Sequence, residues 1–83
     1  MNSECLVNWL MTDKKMSVRS AKDILSRYGR ICKMLGIAEF DNNTLSRLSG
    51  CEQFKQCSVF IKSQLKRTVA LCLEFTKVYY AAI

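Results

Sequence analysis

The cleanest regular feature of the chain is a run of apolar side chains spaced three or four residues apart. This is the spacing of a helix that buries one side and exposes the other. The run consists of Val18, Ala21, Ile24, Leu25, Tyr28, Ile31, Cys32 and Leu35. Ser17 precedes it as a candidate N-cap, and Gly36 follows it as a candidate left-handed residue. The pattern predicts a long helix over about residues 17–35.

A second long run of the same kind occupies the last third of the chain. Its central stripe consists of Ile61, Leu65, Val69, Cys72, Phe75 and Tyr79, with Phe60 and Leu71 widening it. Ser58 stands before it as a candidate N-cap. The pattern predicts a helix over about residues 58–80.

Shorter segments complete the predicted fold. Leu6, Trp9 and Leu10 give residues 4–11 a helical packing face. A polar loop at residues 41–44 precedes a short helix around residues 44–48, and residues 52–56 allow at most one further turn. No segment alternates with the period of a strand. We therefore predict one all-α domain over residues 1–83, with four helices of which two are long.

Composition excludes most kinds of catalytic site. The 83 residues include no His, 3 Gly and no Pro, so most metal sites, phosphate loops and acid–base pairs have no residues to build them. No nucleophile lies beside a base that could activate it. We expect a protein that is not an enzyme and that holds no metal or cofactor.

The cysteines and the chain ends bear on the compartment. The 5 Cys form an odd set without the spacing of a disulfide framework, and no signal peptide is apparent. Glu74 and Lys77 interrupt the most apolar stretch, which is too short to span a membrane. We expect a cytoplasmic protein with reduced thiols.

The positive charge is concentrated on helix faces. The formal net charge is +6, which favours polyanionic partners. On the first long helix, cations and one serine fall within an arc of about 80° at 100° per residue: Arg19, Lys22, Ser26, Arg30 and Lys33. On the second long helix the equivalent side chains are Lys62, Ser63, Lys66 and Arg67, and Lys14 and Lys15 precede the first. Such faces can serve solubility alone, but the lack of carboxylates in the arc suits phosphate contact.

The order of these pieces resembles a known family. Residues 15–20 (Lys-Met-Ser-Val-Arg-Ser) follow a helix with Trp9-Leu10 and open a basic helix that ends at Leu35-Gly36. This order resembles the N-terminal core-binding domain of phage-integrase-type tyrosine recombinases, where a Leu-Ser-Pro-Arg-Thr-like start opens the second helix. Here Met, Val and Ser replace the Leu, Pro and Thr of that start. The resemblance covers about residues 6–79.

The resemblance implies a SAM-like orthogonal bundle that binds one side of duplex DNA. It implies DNA contact by Arg19, Lys22, Ser26 and Arg30 and by Lys62, Ser63, Lys66 and Arg67. The catalytic domain of the family is absent, and without His its His-x-x-Arg element cannot exist. The chain would be a DNA-binding part of a recombinase or a separate protein of a mobile element, such as a phage, that undergoes DNA integration.

A second hypothesis is a protein-interaction or small regulatory module that uses the same bundle for docking or dimerisation. Apolar residues on the predicted outer side of the last helix support it, namely Val59, Ala70 and Leu73, together with the apolar end at residues 78–83. Both hypotheses stay open at the level of sequence.

Overall fold

Helices account for most of the computed structural model, which describes residues 2–81. They are α1 (Ser3–Thr12), α2 (Val18–Leu35), α3 (Thr44–Gly50), α4 (Glu52–Lys55) and α5 (Val59–Ala81). Within residues 2–81 there is no strand, so the predicted all-α class is confirmed. Ala82 and Ile83, part of the predicted apolar docking end, lie outside the described residues.

Side-chain caps and a left-handed residue set the ends of the two long helices. The Ser17 hydroxyl accepts a hydrogen bond from the Ser20 N–H at 3.2 Å, and α2 ends at Gly36, whose φ is 65°. The Ser58 hydroxyl accepts from the Ile61 N–H at 3.2 Å and starts α5. The predicted bounds of these helices are therefore confirmed to within one residue.

The middle of the chain differs from the prediction of four helices. Cys51 is extended, with φ −77° and ψ 130°, and it breaks the helical path between α3 and α4. The residues that follow form the separate turn α4, whose Phe54 is buried. The chain therefore has five helices within residues 2–81 rather than four. The extra turn brings an aromatic side chain to the core.

α2 and α5 are the two elements around which the shorter helices are arranged. Each of them packs against α1, against α3 and against the other, while α4 packs against α3. The side chains of α5 that are at most 1 % exposed are Leu65, Thr68, Val69 and Cys72. The Trp9 and Phe75 rings meet with their centroids 5.6 Å apart and join α1 to α5. Thr68 satisfies its buried hydroxyl by donating to the Gln64 carbonyl at 2.9 Å.

Three apolar side chains lie where the sequence pattern did not place them. Val18 and Phe60, predicted to pack, are 46 % and 68 % exposed. Both lie in the first turn of a helix, where periodicity continues beyond the reach of the packing partners. Leu73, predicted on the outer side, is partly buried against the core. The periodic pattern identifies the stripe but does not show where its partners end.

The cysteines are free thiols, and Cys72 is the most buried of them. Burial is the main cause that raises the pKa of Cys72 from 9.0 to about 12, with a further contribution from the nearby Cys32. Burial also raises the pKa of Tyr28, whose hydroxyl donates to the Ala38 carbonyl at 3.3 Å. Thiols with raised pKa values are poor nucleophiles at neutral pH.

The shifted pKa of Cys72 makes stability depend on alkaline pH. Above pH 9 the thiol ionises in the unfolded chain, whereas the folded state keeps the proton until about pH 12. Its contribution is therefore complete below pH 9 and is lost as the pH rises toward 12, at up to about 1.4 kcal/mol per pH unit. We expect Cys72→Ala to show a shallower decline between pH 9 and 10.5 in urea unfolding. Parallel curves for the two proteins would contradict this.

Two glycines should respond in opposite directions to alanine. A Cβ at Gly29 would have open space around it, so Gly29→Ala is expected to raise the free energy of unfolding by about 0.5–1 kcal/mol. Gly36 also has space, but its φ of 65° is costly for alanine. Gly36→Ala should therefore lower the free energy of unfolding by about 1–2 kcal/mol. Urea unfolding of both variants measures the difference, and equal signs would contradict it.

Candidate nucleic-acid interface

The outward face of α2 carries the largest group of predicted contact residues. This face lies opposite the buried Ala21, Ile24 and Ile31. All of the predicted side chains on α2 are exposed, namely Arg19, Lys22, Ser26, Arg30 and Lys33. At a rise of about 1.5 Å per residue, the stripe extends for roughly 20 Å. The structure thus presents one continuous cationic face on a single rigid element.

The predicted basic face of α5 is divided between two flanks of the helix. Lys62 and Lys66 place their ammonium groups 5.8 Å and 5.9 Å from the centroid of the Phe54 ring, toward α4. Arg67 instead lines a groove beside α2. Lys62 and Arg67 are about 140° apart around the helix at 100° per residue. These cations are therefore spread over a wider arc than the stripe of α2, and Ser63 is exposed between the two flanks.

A polar groove lies between α2 and α5 and has a volume of about 250 Å³. Its polar lining comprises Ser20, Asp23, Arg27, Gln64 and Arg67. Of these, only Arg67 belongs to the predicted contact set. The groove is the place where cations of two different helices meet across a cavity.

The position of Arg27 on α2 is a feature of the sequence that indicates this groove. Arg27 flanks the basic arc of α2, at the boundary between its exposed and buried faces, and it is partly buried. Boundary positions of an amphipathic helix lie beside the neighbouring helix, so they line the grooves between elements. Asp23 and Arg27 are four residues apart on α2, but they do not form an ion pair with each other. Both remain as parts of the groove wall.

A second, apolar hollow of about 450 Å³ lies on the other side of α2, against α1. Val7 and Leu25 line it, and Lys22 and Ser26 stand at the same hollow. The cationic stripe of α2 is therefore bordered by an apolar hollow toward α1 and by the polar groove toward α5.

The loop lysines before α2 have different surroundings. The Lys14 ammonium lies 2.7 Å from the Glu74 carboxylate and 5.4 Å from the centroid of the Trp9 ring. This pair ties the α1–α2 connection to α5, and it neutralises the charge of Lys14 locally. Lys15 is exposed, with a φ of 56°. Unlike Lys14, Lys15 forms no ion pair with a carboxylate of residues 2–81.

Metal and membrane features are absent from the described part of the chain. Among these residues, no group of three acidic or cysteine side chains is arranged to hold a metal ion. Over the same residues, no helix combines the length and apolar character needed to cross a bilayer.

Comparison with known proteins adds no relative, since no family model, curated protein or solved structure matches the chain.

Proposed function

We propose that this chain is a DNA-binding helical module that holds the backbone of duplex DNA and has no catalytic activity alone. The observation that carries the proposal is the outward face of α2, on which four cations and Ser26 are exposed without a carboxylate in the arc. Cations that approach phosphates release condensed counterions, and hydroxyl groups donate to phosphate oxygens. A rigid helix keeps these groups in a fixed register.

The resemblance to the core-binding domain of phage-integrase-type recombinases supports the same function. In this proposal α2 corresponds to the basic second helix of that domain, and α5 to its last helix. The five helices would form the SAM-like bundle of the family, with α4 as an additional turn. A role in DNA integration by a mobile element, in the cytoplasm, follows from the resemblance and belongs to the proposal.

Binding to duplex DNA should depend steeply on salt. We expect fluorescence anisotropy on a random-sequence duplex to show binding at low salt, with a log–log slope of about −0.9 for each phosphate neutralised. The double variant Arg19→Gln/Arg30→Gln removes two cations of the α2 face and should make the slope shallower by about two.

Arg47→Gln is the matched control for a single lost charge, because Arg47 is exposed on α3 and lies outside the proposed interface. Arg47→Gln should weaken binding less than Arg19→Gln alone or Arg30→Gln alone. Absence of binding at low salt, or equal effects of all arginine substitutions, would contradict the proposal.

An alternative function is a protein-interaction or regulatory module, and the start of α5 favours it. Val59 and Phe60 are consecutive and are 80 % and 68 % exposed. Adjacent exposed apolar side chains are more typical of an interface than single ones. Leu73 is partly buried and therefore contributes less to an outer surface than its position in the sequence indicated.

The alternative predicts self-association through this site. Under it, sedimentation velocity should show a dimer whose proportion grows with concentration, and Phe60→Asp should abolish the dimer. Exposure of Phe60 makes this substitution compatible with folding, which circular dichroism checks. A monomer at all concentrations would contradict docking to a second copy.

A further inference from the structure

The polar groove between α2 and α5 has the composition of an anion site. Arg27 comes from α2 and Arg67 from α5, so each helix contributes one arginine to the lining of the cavity. Ser20 and Gln64 add a hydroxyl and an amide, which are neutral donors. Guanidinium groups present several N–H donors in a planar fork that matches the geometry of phosphate oxygens.

We propose that this groove seats a phosphate group of a polynucleotide backbone between Arg27 and Arg67. The inference rests on the proposed function and deepens it, because it assigns a second contact beside the outward face of α2. The partner is the phosphodiester ridge of the duplex, which would cross from the α2 stripe into the groove. Lys62 and Lys66, directed toward Phe54, lie outside this path.

The shape of the site favours a backbone phosphate over a base edge. Base edges lie at the floor of a DNA groove and are reached by convex elements such as a single helix. The cavity between α2 and α5 is concave and holds about 250 Å³, which suits a group that projects from the duplex surface. Phosphates are the projecting groups of the backbone, and they accept hydrogen bonds from donors such as those of this groove.

Asp23 gives the groove a property that distinguishes these two kinds of ligand. Asp23 lines the same cavity and is an exposed residue. A carboxylate repels a phosphate, whereas it can accept a hydrogen bond from the amino group of cytosine. Removing its charge should therefore strengthen phosphate binding and weaken binding to a base edge.

The experiment uses the full chain with a random-sequence duplex and, separately, with inorganic phosphate. We expect Asp23→Asn to tighten duplex binding about threefold at low salt, as the loss of one nearby like charge implies. Glu52→Gln removes the same charge from the exposed start of α4 and should change the affinity less. Arg27→Gln/Arg67→Gln should make the salt slope shallower by about two, and Arg47→Gln by less than one.

Inorganic phosphate tests the groove without DNA. We expect it to shift the Nε–H resonances of Arg27 and Arg67 in side-chain NMR spectra more than that of Arg47. Thermal unfolding of each variant checks that the fold is retained.

The outcomes separate the inference from the function on which it rests. Duplex binding that is insensitive to loss of Arg27 and Arg67 overturns the inference and leaves the function intact. Weaker duplex binding by Asp23→Asn overturns it in favour of base contact. If no duplex binds, the proposed function fails. The NMR experiment with inorganic phosphate then shows whether the groove binds phosphate at all. Shifts at the two arginines support a phosphate site there, and their absence overturns it.

Discussion

Burial of the apolar stripe of α5 is the interaction on which the rest of the structure depends. Leu65, Val69 and Cys72 are at most 1 % exposed, and α5 packs against α1, α2 and α3. Complete burial of a Leu or Val side chain contributes about 1.5–3 kcal/mol, far more than a surface ion pair such as Lys14–Glu74, whose side chains remain 31 % and 48 % exposed. The apolar stripe therefore fixes the rotation of α5 about its own axis.

That rotation also determines where the cations of α5 point. With the stripe turned inward, Arg67 falls on the flank beside α2, and Lys62 and Lys66 fall on the flank beside Phe54. The division of the basic face is thus a consequence of core packing. α2 is arranged differently, because the cations of its predicted stripe lie opposite its buried face and all of them remain exposed.

The sequence predicts most of the fold because its strongest signals are local. Ser17, Gly36 and Ser58 act on their own helix ends, and the helices begin and end as these residues indicate. The separation of α4 depends on the extended backbone of Cys51, and the exposure of Phe60 depends on where neighbouring helices stop. Neither is encoded in the period of a single segment. The groove likewise depends on tertiary packing, because its two arginines are brought together only when α2 and α5 pack.

The distribution of charge indicates which cations are available to a partner. The chain has 13 Lys and Arg, but Lys14 is engaged by Glu74, and Lys62 and Lys66 are placed over an aromatic ring. The α2 face retains all four of its cations in solvent, and the groove adds one arginine from each long helix. A partner bound at this side of the molecule would thus meet about six cations, a number that limits the phosphates it can contact. The slope of affinity against salt concentration therefore indicates how many of these cations contact phosphates. At about −0.9 per phosphate, a slope near −5 fits a site that includes the groove, whereas a slope of about −3.6 or shallower fits the outward face of α2 alone.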